Sequence, residues 1–203
     1  MKSIERQNIV PDSRVDKVAR IYRVLLSRKI KNMTWYRIAK DADVAYGWAY
    51  RVLRNLEDRN IIEGSTIKDP KALFLTWASR NSYHKFREYH IQNPKVILMN
   101  SKMDYAFTTY YAESIIGHYL FPRNYEFYIH PKDSQKWHSY LSENGYVGRG
   151  NIKVIRADEH IFFEKGTVDN WPTVSIQQLI VDLYKEGAEC VEAADLLLMK
   201  AYS

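Results

Sequence analysis

Hydrophobic positions in the first sixty residues repeat at three- and four-residue spacing, the period of a helix with one buried face. In "PDSRVDKVARIYRVLLSRKI" they are Val15, Val18, Tyr22, Leu25 and Leu26, with Asp12 or Ser13 placed to cap the helix. "TWYRIAKDA" predicts a second helix, capped by Thr34 and turning Ile38 and Ala39 inward. "DADV" interrupts the pattern, and a third helix follows from about Ala45 to Arg59. Beyond it the period changes. "IIEGSTI" and "ALFLTWA" read as two β-like runs around the turn-forming "KDPK". Helix, helix, turn, helix and hairpin predict a winged helix-turn-helix over residues 1–78.

Residues 79–95 are polar and basic, and read as a connector, part helix, that ends at Pro94. The pattern then mixes periods over 96–203. "KMDYAFTTYYAESIIGHYL" predicts a helix, "YEFYIHP" a strand, and "DSQKWHSYLSENGY" a helix capped by Asp133 or Ser134. "NIKVIRAD" and "HIFFEKGTV" read as two more strands, and "SIQQLIVDLYKEG" with "ECVEAADLLLMKAY" as a helical pair split at Gly187. The expected fold class is α+β, a winged helix followed by a small α/β domain.

The third helix raises the question of what "DADV" is for. On a wheel of about 100° per residue, Ala45, Ala49, Val52, Leu53 and Leu56 form the face that packs inward. Gly47, Arg51, Arg54 and Asp58 fall opposite, flanked by Trp48, Tyr50 and Asn55. In a helix-turn-helix the first turns of the second helix enter the major groove. Arginine reads guanine there, tyrosine and threonine hydroxyls reach phosphates, and a glycine allows close approach. Taken singly, Arg51 or Arg54 is better explained as a solvated charge beside Glu57 or Asp58. Taken with the break, the hairpin and the charge described next, the helix is aimed at double-stranded DNA. The expected contact set is Thr34, Tyr36, Arg37, Tyr46, Gly47, Trp48, Tyr50, Arg51 and Arg54, with Lys68 and Lys71 on phosphates from the wing tip.

Charge sharpens this reading. The net charge is +6, yet residues 1–95 hold 20 Lys and Arg against 10 Asp and Glu, while residues 96–203 hold 10 against 14. A basic half joined to a mildly acidic half points to a polyanionic partner for the first. With 46% apolar residues the chain can bury a core. No apolar run approaches a membrane span, and "MKSIERQNIVPDSR" lacks the apolar stretch of a signal peptide, so a cytoplasmic protein is expected. The lone Cys190 excludes an internal disulfide framework and any Cys-based zinc cluster. The six histidines show no metal-ligand spacing, and no cofactor is expected.

"TVSIQQLIVDLYKEGAECVEAADLLL" resembles the C-terminal signature of AbiEi-type antitoxins and transcriptional regulators of type IV toxin–antitoxin systems. The matching residues are Val174-Ser175, Gln178-Leu179, Val181-Asp182-Leu183 and Ala193-Ala194. Where that family carries Arg-Gly before the last helix, this chain has Glu186-Gly187. The resemblance implies a winged helix joined to a minimal, degenerate nucleotidyltransferase-like domain. It also implies autoregulation of an operon, and a cognate toxin or a second copy of the chain as protein partner.

Two other classes compete. An active nucleotidyltransferase needs a Gly-Ser turn for the triphosphate and paired acids on a strand for metal ions. No Gly-Ser precedes "YAESIIGHYL", and "YEFYIHP" offers Glu126 but has Tyr128 where the second acid belongs. A protein-interaction module is the other rival, and the basic, aromatic third helix argues against it. Asp158-Glu159-His160 has the residue types for acid–base chemistry, but neighbours on a strand point apart.

Overall fold

The structure, a computed structural model, describes residues 16–27, 33–80 and 84–202. Helix α1 (Lys17–Leu25) starts at Asp16, whose carboxylate accepts from the amides of Val18 and Ala19 at 3.1 and 3.0 Å. The caps expected at Asp12 or Ser13, and Val15, lie outside the described residues. Every α1 residue from Val18 to Leu25 except Arg20 is buried. A helix buried all round lies inside a molecule rather than on one side of it.

Helix α2 (Trp35–Asp41) is capped as expected by Thr34, whose hydroxyl accepts from the Arg37 amide at 3.2 Å. The "DADV" break has a definite geometry. Asp43 adopts φ +51°, its amide donates to the Lys40 carbonyl, and the Val44 amide reaches back to that of Ala39. This is a Schellman ending, with Asp43 in the left-handed position more often filled by glycine. The chain then turns at once into α3 (Tyr46–Asp58), which buries Ala49, Leu53 and Leu56. Ala45, expected on the inward face, is exposed at the N-cap with no side-chain cap bond.

The hairpin is shorter than expected and lies earlier. Strands β1 (Ile62–Glu63) and β2 (Thr66–Ile67) pair antiparallel around Gly64-Ser65, with Gly64 at φ +59°. "KDPK" is therefore not the wing tip. It starts helix α4 (Pro70–Ala78): the Asp69 carboxylate accepts from the Ala72 amide at 2.9 Å, and Pro70 occupies the first turn. Proline there lacks only an amide that would have had no partner. "ALFLTWA" buries Leu73, Phe74 and Trp77, one helical face, so the strand reading of that run is corrected.

Residues 79–95 are not simply a connector. Lys85–His90 form strand β3, the second strand from the edge of a seven-stranded sheet. Helix α5 (Pro94–Asn100) follows. Next come β4 (Ala106–Phe107), α6 (Thr109–Ile116), β5 (Tyr125–Ile129) and α7 (Ser134–Glu143). The last part holds β6 (Tyr146–Val147), β7 (Ile152–Arg156), β8 (Gly166–Val168), β9 (Trp171–Thr173), α8 (Ile176–Glu186) and α9 (Glu189–Tyr202). The strand order is β6-β3-β7-β5-β4-β9-β8, with β5–β7 and β4–β9 parallel and the other pairs antiparallel. "HIFFEKGTV" is a 3-10 turn over Glu159–Phe162 before it becomes β8, and Ala106-Phe107 is the strand β4 rather than the start of a helix. Aromatic side chains fill the sheet core: Tyr105, Phe107, Phe127 and Trp137 meet at ring distances of 5.0 to 5.8 Å.

The winged helix and the sheet domain are docked through α4 on α8 and α9, and through side-chain bonds from α1 to Asp158 and Gln178. Phe74 of α4 meets Tyr202 of α9 edge-on at 5.3 Å, and the Tyr202 hydroxyl donates to the Leu26 carbonyl at 2.7 Å.

Candidate nucleic-acid interface

On the exposed surface of the winged helix, α2 and α3 display four aromatic rings. Trp35 and Tyr36 come from the first turn of α2, Tyr46 and Tyr50 from the first two turns of α3. Tyr36 meets Tyr46 at 6.3 Å, Tyr46 meets Tyr50 at 6.3 Å, and Tyr50 meets Trp35 edge-on at 5.4 Å. Tyr36 is 68% exposed, and Tyr46 and Tyr50 nearly half. Gly47 lies beside Tyr46, and a Cβ added there would meet nothing within 4 Å. That part of α3 faces open space.

Of the expected contact residues, Tyr36, Tyr46, Gly47, Tyr50 and Arg51 come together on this surface, but the remaining cations differ in what they touch. Arg51 lies 5.1 Å over the Trp48 ring, and its Nε donates to the Gly47 carbonyl at 3.3 Å. Among the described residues it has no carboxylate partner. Arg54 does: Nη1 reaches Glu57 at 2.8 Å and Nε reaches Asp58 at 3.1 Å. Arg37 is held by Asp41, one turn on, at 2.6 Å. Thr34 spends its hydroxyl on the helix cap. Both lysines expected at the wing tip are misplaced by the corrected hairpin. Lys68 follows β2 and pairs with Glu63 at 2.5 Å, while Lys71 belongs to α4 and pairs with Asp195 of α9 at 2.9 Å.

The hairpin itself is tied back. The Trp35 indole donates to the Gly64 carbonyl at 2.8 Å, and the Gly64 amide donates to Glu57 at 2.9 Å. Trp35 was not among the expected residues, although an indole directly after a capping threonine is placed to reach a neighbouring loop. Lys17 also escaped notice; its ammonium lies 5.7 Å over the same Trp48 ring as Arg51. Between α1 and α3 runs a cleft of about 310 Å³, with Tyr22, Trp48, Arg51 and Arg80 on its walls.

Residues 4–89 match the family model of the sugar-specific transcriptional regulator TrmB. No curated protein and no solved structure matches the chain. The matched span covers the winged helix and stops within β3, so the N-terminal part of the chain is similar to the winged helix of a DNA-binding transcriptional regulator.

A polar network joins the other side of the helix-turn-helix to the sheet domain. Arg20 grips Asp158 with two bonds of 2.6 Å and reaches Asp43, in the break, at 2.8 Å. That arginine holds the Asp158 carboxyl below the usual carboxylate range despite burial. Arg23 is buried, and its Nε and Nη2 both donate to the Gln178 side-chain oxygen, at 3.0 and 2.8 Å. Burial lowers its guanidinium to about 10. Its Nη1 donates to Nδ1 of His160 at 2.9 Å, and Nε2 of His160 lies 3.0 Å from the Asp41 carbonyl. Since arginine only donates, Nδ1 must accept, and the imidazole is neutral with its proton on Nε2. Burial, with the Arg23 charge beside it, pushes His160 down to about 4.

Beyond Gln178 the network continues inside the sheet domain. The Gln178 amide donates to Asp182 at 2.8 Å, and Thr108 and Tyr128 donate to the same carboxylate at 2.6 and 3.2 Å. Asp182 is buried, and burial raises its carboxyl. Glu126 takes the Thr109 hydroxyl at 2.7 Å and the Lys153 ammonium at 3.4 Å. Among the described residues no three His, Cys, Asp or Glu side chains are grouped to hold a metal ion, and no helix is long and apolar enough to cross a membrane.

Proposed function

We propose that the chain is a sequence-specific DNA-binding transcriptional regulator in which the outward face of α3 enters the major groove. The observation that carries this is the open surface of Tyr46, Gly47, Tyr50 and Arg51, set on a helix-turn-helix. The match to a regulator family over the same segment supports it. Arg51, Lys17 and Lys40 have no carboxylate partner among the described residues, and Arg37 and Arg54 are exposed in their pairs, which makes those pairs cheap to exchange. With about five phosphates neutralised, log affinity for duplex DNA falls against log salt with a slope of roughly −4. Titrating the full chain with labelled duplex over a range of salt tests this. An affinity indifferent to salt would sink it.

The antitoxin form of this reading rests on the signature in α8 and α9. Ser175, Gln178, Asp182, Ala193 and Ala194 are all buried, and Gln178 and Asp182 belong to the network that reaches Arg23. What supports a toxin partner is thus a resemblance in how the domains are built rather than an exposed surface. A neighbouring gene for a nucleotidyltransferase with intact paired acids, whose product co-purifies with this chain, would establish the antitoxin role. We read the sheet domain itself as non-catalytic. Glu126 is engaged by Lys153, a cation in its own right, and Tyr128 is turned to Asp182. Labelled nucleoside triphosphates with Mg²⁺ or Mn²⁺ and tRNA are expected to give no product, and labelling that disappears in Glu126→Ala would overturn this.

A further inference from the structure

We propose that the winged helix recognises its site chiefly through thymine methyl groups, read by the row of tyrosine rings on α2 and α3. The proposal rests on the duplex-DNA reading above and specifies what that surface reads.

The row is continuous. Tyr36, Tyr46, Tyr50 and Trp35 touch in sequence at 5.4 to 6.3 Å, and the three tyrosines are the exposed members. Exposed aromatic area gathered in one place, rather than scattered, marks a contact surface. Its position at the start of α3 is where a helix-turn-helix meets base edges.

The polar alternatives are limited. Reading guanine takes a bidentate cation, and the face offers Arg51 without a carboxylate, while Arg37 and Arg54 must first give up Asp41, Glu57 and Asp58. Ring carbon dominates the rest. In the major groove the apolar feature of the base edges is the C5 methyl of thymine. Tyrosine suits the task because its hydroxyl can stay with water or a phosphate while the ring covers the methyl. Gly47, open on its outer side, leaves room for the groove floor next to Tyr46.

The same rings do not form a platform for single strands. Stacked bases need separate ring faces to lie on. Here the tyrosines are tilted 45° and 46° against one another and fill the space between them. The three exposed tyrosines lie side by side as one strip, a shape suited to a groove.

The experiment uses the full chain and a random duplex pool to select a preferred site, which is then synthesised with deoxythymidine or with deoxyuridine at each thymine. Deoxyuridine keeps the base pair and removes only the methyl. Affinity is expected to fall about fourfold for each methyl that a ring covers, the scale of one buried methyl-sized group. Tyr46→Ala and Tyr50→Ala, checked by thermal melting to be folded, are expected to bind the thymine site more weakly and to lose its advantage over the uracil site. Equal affinity of the parent for both duplexes would overturn the proposal while leaving duplex binding in place. So would an undiminished thymine advantage in both tyrosine variants, or tighter binding to the corresponding single strand. Failure of the parent to enrich any duplex overturns the DNA-binding reading, and this one with it.

Discussion

The winged helix has two polar sides built on different terms. On the outward side, the exposed Arg37 and Arg54 hold carboxylates of their own helices, and Tyr36, Tyr46 and Tyr50 are open to solvent. On the inward side, Arg20 and Arg23 enter the sheet domain, where Asp158, Gln178 and His160 take their donors one by one. Exposed pairs contribute roughly 0–1 kcal/mol and exchange partners easily. A buried guanidinium left without acceptors costs several times that. One side is free to trade its contacts for those of a ligand; the other fixes the position from which the trade is made. Arg20 meets Asp43 within the helix-turn-helix break, and His160 holds the Asp41 carbonyl at its start. The sheet domain thus grips the element that sets the angle of α3.

The most damaging way to break this contrast is at Arg23. Arg23→Ala leaves the oxygen of Gln178 and Nδ1 of His160 without a donor and opens space against Trp77, whose ring the guanidinium covers at 5.4 Å. Urea unfolding is expected to show a loss of about 3–5 kcal/mol. A loss under about 1 kcal/mol would mean that this network behaves like a surface contact and that the distinction drawn here fails.

Among the outward-side cations the largest effect is expected from Arg51→Ala. Affinity for the preferred duplex should fall by about 1–3 kcal/mol, with preference relaxed at one base pair. The melting temperature should stay where it was, because Arg51 is exposed and its contacts are the Trp48 ring and its own helix. Arg51→Ala and Arg54→Ala both binding like the parent would show that α3 does not read through its arginines, and would leave recognition to Tyr46 and Tyr50.

These two sides were unequally legible in the sequence. The outward face followed from a helical wheel, since period and residue type alone put Tyr50, Arg51 and Arg54 opposite Leu53 and Leu56. The inward network could not be found that way. Arg23 interrupts an apolar run and pairs 155 residues away, with Gln178. Tertiary contacts of that range leave no local pattern. The hairpin went wrong for a different reason. Asp69-Pro70 is a helix-start signal, but the apolar run behind it also fits a strand, and the β reading displaced Lys68 and Lys71 to a wing tip they do not occupy. β3 was lost because Lys85, Arg87, Glu88 and His90 mask it: only Tyr89 is buried, and the strand owes its existence to pairing with β6 and β7 on either side.

Acidification sharpens the comparison from the inward side. His160 sits at about 4 in the folded protein, below the roughly 6.5 of a free imidazole. A lowered pKa means that the unfolded chain binds the proton first, so stability is fully present above about 6.5 and drains away as pH falls toward 4. Allowing for partial exposure, the loss is on the order of 1–2 kcal/mol. Asp158, also lowered, adds its own loss as pH falls further. Melting His160→Gln beside the parent from pH 7.5 to 4.5 is the check: the variant starts less stable and shows a shallower slope between those limits. Parallel curves would place the titration elsewhere.

The smallest effect is expected at the two lysines that sequence reasoning had assigned to phosphates. Lys71 holds both oxygens of Asp195 on α9, at 2.9 and 3.0 Å, and so belongs to the docked side even though it is exposed. Lys71→Ala should cost no more than about 0.5 kcal/mol in stability, and should leave both DNA affinity and the salt slope unchanged. Lys68, beside the wing and paired with Glu63, stands between the two cases; its pair is exposed, and DNA can compete for it. Lys68→Ala should weaken all sequences alike and shift the slope by less than about 1, the value for a full phosphate contact. Measuring both slopes in one salt series separates the sides directly. If Lys71→Ala gives the larger shift, α4 reaches the duplex, the Asp195 pair opens on binding, and the docked side is not fixed in the way Arg20 and Arg23 imply.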